Sequence, residues 1–551
     1  MSPNIFYKES KTAKNGSTIP VLSNGKSFFS EYNPERDIQF YAAAPSVKDS
    51  GFILVGGLGD GSHILALLKA NPSSYVMVLE YNKETLDYLF ESGICSREIQ
   101  NNPRVSFTTT ENLSESLKNT YIPVIHGSFL YHPVKAWQLA YEQNTSDESS
   151  GRLSIKDMIQ STLKDIAADY ATQARFGKLM HTNILKNLKL LSEDAGKCVS
   201  EADIRAFAEA NADKEAAVIG AGPSLDETRP LLKQNRNRFF IIATDTAYRT
   251  LYRNGIKSDI VVTLDGQNAS LSHFLGIVSP ETVVAADICA NTAAARYLYE
   301  QGCRLFFFTT GHPLGTLVNT WYRAQQETDA IPIATCAHQT AERPQNETST
   351  PLLPVYTAGC GTVLSAAADI AVKAGFKKIR FFGADFAYKS GKPYTRGTYL
   401  DDTFSKTSSR IIPQENSFCS LCFRTELTPS ENGYTTPLLS SYKSSLKSYI
   451  ASQDALFDFV SDSSTFPSLS PLDTIKSTYQ NKKGKKNKQN KISLFNFNEF
   501  ISYLLDKLEN QDSALLYSLL PFATWLKEKN KNADIKDIYM KAAKLTALHR
   551  G

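Results

Sequence analysis

The stretch A-V-I-G-A-G-P-S-L-D, Ala217 to Asp226, decides the fold: an apolar run breaks into a glycine-rich turn and then opens a helix. Gly220 and Gly222 let backbone come close to a ligand, and Ser224 with Glu227 three positions on has the spacing of a capping box. A turn of this kind presents backbone N–H groups, and the helix N-terminus adds partial positive charge, so a nucleotide phosphate is accommodated without a dedicated lysine. The competing reading is a strand-to-helix turn that uses glycine for geometry alone. The sequence on either side bears on which holds.

Downstream, strand and helix signals alternate, which predicts a mostly parallel sheet over roughly 213–445. Strands are expected at 217–219, 239–243, 260–264, 282–286, 305–308 and 379–382, and nearly all run into polar or small residues. They deliver Asp245, Asp265, Asp287, His312 and Asp385. Ligands of open parallel sheets lie outside the carboxyl ends of the strands, so these side chains are expected to ring one site, with about half of the aspartates only capping loops. A second glycine turn, T-A-G-C-G-T-V over 357–363, places Gly359, Gly361 and Thr362 at the start of another helix, with Thr362 as its cap. After Gly383 and Asp385 the chain reads F-A-Y-K-S-G-K-P-Y-T-R-G-T-Y. Its Tyr388, Lys389, Lys392, Tyr394, Arg396 and Tyr399 suit a lid whose cations and phenols neutralise a leaving phosphate.

Upstream, G-F-I-L-V-G-G-L-G-D-G-S-H-I from Gly51 is a buried strand, a turn with Gly57, Gly59 and Gly61, and a helix; the next strand ends at Glu80. An acidic residue about twenty positions past a glycine turn is the arrangement of dinucleotide and S-adenosylmethionine sites. The favoured reading is a Rossmann-like scaffold whose turn is structural, with a methyltransferase as the remote alternative. The region 151–212 reads as a helical connector, in which Asn183 and Asn187, one turn apart, are assigned to a solvated face rather than to a neighbouring site. The organisation is therefore α/β: a Rossmann-like domain at 1–150, the connector at 151–212, the central domain at 213–445 and a helical region at 446–551 with a basic linker at 481–491.

The composition fits an ordinary globular protein: 551 residues, 42% hydrophobic, 21% charged, net charge +4. The small charge gives no sign of nucleic acid as a partner, and the basic linker lacks the interleaved aromatics that base stacking needs. No apolar run reaches the length of a membrane span, so a cytoplasmic location is expected. Eight scattered cysteines suggest reduced thiols; Cys419 and Cys422 have no second pair at zinc spacing, and no metal is expected.

The series G-A-G-P-S-L, V-V-T-L-D-G, A-G-C-G-T-V and F-F-G-A-D-F-A-Y resembles the motility accessory factor (Maf) family of flagellin glycosyltransferases. That family shares its central domain with the 6-hydroxymethylpterin pyrophosphokinase MptE-like proteins. The resemblance implies a central fold akin to bacterial CMP-sialyltransferases and transfer of a nonulosonic acid sugar from a CMP-activated donor to Ser or Thr hydroxyls of flagellin. It implies that Gly220, Gly222, Pro223 and Ser224 bind the nucleotide, with Asp245, Asp265, Gly359, Gly361, Thr362 and Gly383. Asp385, Tyr388, Asp265 and Tyr394 are the catalytic candidates; Lys392, Arg396 and Tyr399 are those for the substrate phosphate. Where relatives often carry a histidine after Gly-Lys, this chain has Gly391, Lys392, Pro393 and Tyr394, so the base is Tyr394, Asp385 or another group. No cofactor is required, because a CMP leaving group departs through one phosphate. Two alternatives stay open: an ATP- and Mg²⁺-dependent pterin pyrophosphokinase holding metal on Asp245, Asp265 and Asp385, and a non-catalytic flagellar assembly factor. Homo-oligomerisation is left open.

Overall fold

The structure is a computed structural model that describes residues 5–146, 154–193, 198–326, 351–358, 361–431, 433–462, 464 and 495–550. Gly359, Cys336, Cys360 and the basic linker lie outside the described residues. The chain divides into two compact units: residues 1–175 with 523–531, and residues 176–522 with 532–551. In this division residues 523–531 group with the first unit and the remaining C-terminal residues with the second. The connector is also more continuous than its two stretches implied, since one 39-residue helix covers Ile155–Glu193. Among the described residues no helix is long and apolar enough to cross a membrane.

The first unit begins with an antiparallel hairpin, β1 (Tyr7–Thr12) and β2 (Thr18–Leu22). A four-stranded parallel sheet follows, built from β3 (Phe52–Gly56), β4 (Tyr75–Glu80), β5 (Val105–Thr109) and β6 (Phe129–Tyr131) in the order β5-β4-β3-β6. Every residue of β3 is buried, as a strand covered on both faces requires. The glycine turn after β3 is packed solid. A Cβ at Gly57 would meet Trp137 at 2.7 Å, and one at Gly59 would meet Phe28 at 2.8 Å. Glu80, the acidic residue set for a ribose, is fully buried. It accepts from the Leu58 N–H (2.9 Å), the Tyr81 N–H (2.9 Å), the Trp137 indole (2.8 Å) and the Tyr7 hydroxyl (3.1 Å). Both the aromatic filling and the committed carboxylate match a structural turn.

The second unit is organised on seven parallel strands. These are β7 (Glu215–Ile219), β8 (Phe239–Thr244), β9 (Ile260–Thr263), β10 (Val283–Asp287), β11 (Arg304–Phe308), β12 (Lys378–Phe382) and, after a hairpin of β13 (Thr428–Ser430) and β14 (Gly433–Thr435), β15 (Leu456–Val460). The order is β11-β10-β9-β8-β7-β12-β15. Six strands were expected; β15 was not, so the central sheet runs past residue 445. The chain winds outward from β7 to β11 and then returns to the other side of β7. The neighbouring carboxyl ends of β7 and β12 are thus the topological switch point, where open sheets bind ligands. Two asparagines hold this end of the sheet. Asn183 Nδ2 donates to the carbonyls of Gly266 (3.1 Å) and Cys289 (3.0 Å), and Asn187 Nδ2 to those of Ile288 and Ala290 (both 2.9 Å). Both are buried, which corrects the solvated-face reading.

Candidate functional site

The site is built where β7 and β12 end side by side. The Gly220 N–H donates to the Phe382 carbonyl and the Gly222 N–H to the Gly383 carbonyl, both at 2.8 Å. The backbones approach so closely that a Cβ on Gly220 would lie 2.5 Å from the Gly383 oxygen, and one on Gly383 would press as hard on the Gly220 oxygen. Glycine is required here because two turns are pressed together, and the N–H groups expected to cradle phosphate are spent on that contact. The capping box is also absent. The Ser224 side chain makes no cap, and Glu227 pairs instead with Lys389 at 2.9 Å. The Ser224 N–H donates to Oδ2 of Asp385 at 2.9 Å, so a carboxylate from the end of β12 occupies the anion position at this turn. Burial pushes the Asp385 carboxyl up from its ordinary range, and the Ser224 N–H and hydroxyl oppose that rise.

Thr362 does cap its helix, accepting from the Ser365 N–H at 3.2 Å, and Leu364 in the first turn of that helix reaches the space beside Gly220. Gly361 has φ +90° and forms the turn ahead of the cap.

Asp245 is buried at the end of β8 and is committed to Thr263 Oγ1 (2.8 Å) and to the N–H and hydroxyl of Thr246 (2.6 and 3.1 Å). Asp265, past β9, is exposed and accepts from the Gln267 N–H at 2.9 Å. Asp287 holds the Thr310 N–H and hydroxyl and the Cys289 N–H, and His312 accepts from the Leu314 N–H at 3.1 Å. These last two fix loops, so the ring of strand-end side chains is only partly functional in form.

The segment after Asp385 folds back over the glycine turn. Phe386 takes φ +50° and its carbonyl accepts from the Thr435 hydroxyl at 2.9 Å. The Tyr388 N–H donates to the Tyr434 carbonyl at 2.6 Å, which ties the start of the segment to β14. Farther on, the Thr395 N–H donates to the Ala221 carbonyl (2.8 Å), and Asp226 accepts from the Thr395 hydroxyl (2.6 Å) and the Arg396 N–H (3.1 Å). Arg253 makes a two-pronged pair with Asp402 at 2.9 and 2.8 Å, and Thr250 donates to the Arg396 carbonyl at 2.9 Å. The lid is therefore fastened on both sides of Arg396. Beneath it lies a cleft of about 280 Å³ lined by Pro223, Asp226, Glu227, Arg229, Lys389, Lys392 and Arg396. Arg229 and Lys389 are paired with Asp226 and Glu227. The side chains of Lys392 and Arg396 have no ion-pair partner among the described residues, and they give the cleft its unneutralised positive charge.

The lid also carries three tyrosines. Burial, then Tyr399, Tyr388 and Asp245, raises the Tyr394 phenol; burial, then Asp265 and Asp245, raises that of Tyr399; and burial, then Cys422, raises that of Tyr388. All three remain protonated donors at neutral pH. Tyr399 also meets the ring of His273 edge-on at 4.6 Å. His273 is 8% exposed, its Nδ1 has no hydrogen-bond partner, and sequence reasoning passed over it because it lies in a short 3₁₀ turn with no motif around it.

A second cavity of about 160 Å³ is lined by Ser224, Asp385, Phe381, Phe386, Phe459, Lys443 and Lys447. Neither lysine was anticipated, since both sit in the helix Pro437–Ala451 outside any glycine turn.

Residues 183–391 match the family model described as 6-hydroxymethylpterin diphosphokinase MptE-like. An uncharacterised protein of Treponema pallidum (strain Nichols) is 30% identical over 255 residues, which is 45% of this chain and 70% of the relative. A second from the same organism is 29% identical over 193 residues, 35% of this chain and 84% of the relative. Among solved structures, a Maf glycosyltransferase from Magnetospirillum magneticum AMB-1 is similar at 13% identity with a TM-score of 0.48, covering 98% of this chain and 86% of that one.

Proposed function

We propose that this chain, which belongs to the family of its 30%-identical Treponema pallidum relative and carries an MptE-like domain, is a glycosyltransferase using a CMP-activated nonulosonic acid, with flagellin Ser or Thr hydroxyls as acceptors. The observation that carries this reading is the cleft at the β7/β12 switch point, into which the fastened lid brings Lys392 and Arg396 without ion-pair partners among the described residues. The resemblance in sequence motifs supplies the donor and acceptor classes.

The turn N–H groups of Gly220 and Gly222 are already bonded, so the donor phosphate is held by side-chain cations. In the reaction the acceptor hydroxyl gives its proton to a base and its oxygen bonds the anomeric carbon. The bond from that carbon to the phosphate oxygen breaks, and its electron pair leaves with CMP. Lys392 and Arg396 stabilise the charge that grows on the phosphate, and the protonated phenols of Tyr394 and Tyr399 add hydrogen bonds. Asp265, an exposed carboxylate just past β9, is assigned the role of taking the proton. Asp385 acts by holding Ser224.

The description of the matched family model favours one second reading, transfer of a diphosphoryl group from ATP with Mg²⁺ to a pterin hydroxyl, with AMP leaving. Asp245 fits it poorly, because its oxygens are committed to Thr263 and Thr246.

Titration calorimetry separates the readings. CMP without metal is expected to bind, and Lys392→Ala with Arg396→Ala to weaken it by about tenfold or more, the loss of a charge-assisted contact. Binding of ATP only with Mg²⁺ would move the assignment to the kinase. No nucleotide binding alongside retained flagellin binding would make the chain an assembly factor.

A further inference from the structure

We propose that Cys419 and Cys422 form a reversible disulfide that loosens the lid over the cation cleft, a thiol switch that acts whichever substrate the cleft takes. The two residues are the C-x-x-C pair of the sequence and belong to the last turn of the helix Gln414–Cys422. Both are free thiols, Cys419 exposed and Cys422 buried. No third histidine, cysteine or acidic side chain among the described residues completes a metal site around them.

The buried thiol reaches the lid. Cys422 Sγ donates to the Gly391 carbonyl at 3.7 Å, a weak bond of the kind sulfur makes. Gly391 closes the turn Lys389–Gly391, whose middle residue Ser390 takes φ +54°, a left-handed conformation that a side chain disfavours. Lys389, Ser390 and Lys392 line the cation cleft, so this turn sets where two of its cations stand. It is held at both ends by the stretch that begins with Cys422. At its start the Tyr388 N–H donates to the Tyr434 carbonyl, and at its end Gly391 accepts from Cys422. A strained turn keeps its shape only where its surroundings impose it.

Side chains three positions apart on a helix have Cβ atoms about 5–6 Å apart, whereas a disulfide needs about 3.5–4.5 Å. Closing that difference distorts the last turn, which ends in the bond from the Phe423 N–H to the Cys419 carbonyl at 3.0 Å. Cys422 is the terminal residue and therefore the one that moves, and its sulfur, once bonded to Cys419, has no hydrogen to give Gly391. A small disulfide, oxidised glutathione, supplies the oxidant. The exposed Cys419 thiolate attacks one of its sulfurs, the S–S bond breaks, and one glutathione leaves as thiolate. Burial, then Cys419, pushes the Cys422 thiol up to about 11, so it waits as a thiol until the helix end opens to water. Its thiolate then attacks the Cys419 sulfur, and the second glutathione leaves. Two protein thiols are oxidised, one glutathione disulfide is reduced, and the two protons pass to the departing thiolates.

The test exposes the full chain, without nucleotide, to glutathione buffers of increasing oxidised fraction and reads peptide mass and amide exchange. Oxidation is expected to remove two hydrogens from the peptide that carries both cysteines. It should also speed exchange across 388–392 by about two- to fivefold, the loss of one weak bond, and dithiothreitol should restore both readings. Cys419→Ser, an exposed change that leaves Cys422 on Gly391, should exchange like reduced wild type and stay insensitive to glutathione; circular dichroism and the melting temperature verify its fold. Absence of a bond between the two cysteines in oxidised buffer overturns the proposal, as does a bond that forms with exchange across 388–392 unchanged. The same acceleration in oxidised Cys419→Ser overturns it too, because another cysteine would be responsible. Since no nucleotide is present, failure here leaves the glycosyltransferase reading standing, and failure of that reading leaves this result intact.

Discussion

Alanine at Gly222 tests whether the glycine turn exists to let two strand ends meet. Its Cβ would lie 2.1 Å from Oδ2 of Asp385 and 2.7 Å from the Gly383 carbonyl oxygen. Relief requires Asp385 to leave the Ser224 N–H, a charge-assisted bond worth about 1.5–3 kcal/mol. Overpacking against the Gly383 backbone adds about 1–3 kcal/mol. The stiffer unfolded chain returns only about 0.4–1 kcal/mol. The net loss is about 2–5 kcal/mol. In an Asp385→Ala background the carboxylate obstacle and its bond are already gone, so the same substitution should cost about 1.5–3 kcal/mol less. Urea unfolding of the four proteins of this cycle measures the difference, and hydrogen exchange in 215–222 and 378–383 locates it. Strictly additive costs, or a Gly222→Ala protein as stable as wild type, would refute the close-contact account.

Two further outcomes are expected. Asn187→Ala leaves the Ile288 and Ala290 carbonyls without their donor and should cost about 2–4 kcal/mol, with faster exchange at the carboxyl end of β10; unchanged exchange there would show that the asparagine does not hold the sheet. Glu215 feels burial, which raises its carboxyl, but Arg380 and Arg238 outweigh burial and hold it below the ordinary value of 4.5. A lowered carboxyl stabilises the fold above the unfolded value and loses that contribution as pH falls through the folded one. Glu215→Gln should therefore be less stable at pH 7, with the gap to wild type closing below about pH 4.5; a gap that stays constant to about pH 3 would contradict the pairing.

Much of the fold was legible because buried parallel strands are short apolar runs, and six of the seven strands of the larger sheet carry that signal. β15 escaped because Leu456, Asp458 and Phe459 leave its pattern mixed: it is an edge strand, with Leu456 67% exposed. The site was legible where chemistry is carried by one segment. Lys392 and Arg396 come from a single loop and do line one cleft. It was not legible where distant backbones meet. Nothing near Gly222 announces that its N–H will be taken by Gly383, or that Asp385 will fill the anion position at Ser224. Asn183 and Asn187 have the same difficulty, since a buried asparagine and a solvated one look alike until the carbonyls they meet are known.

The late position of β15 in the chain bears on how the protein is made. Its partner β12 ends at Phe382, and β15 completes the sheet only at Val460, so β12 is an open edge while the intervening segment is synthesised. At roughly 5–20 residues per second that wait lasts several seconds, long against hairpin formation or collapse. During it, Arg380 has Glu215 but lacks Asp458, and Phe381 lacks the ring of Phe459. A nascent chain with a bare, aromatic strand edge is a template for pairing with another copy, which makes this interval the one where a ribosome-associated chaperone would have most to protect.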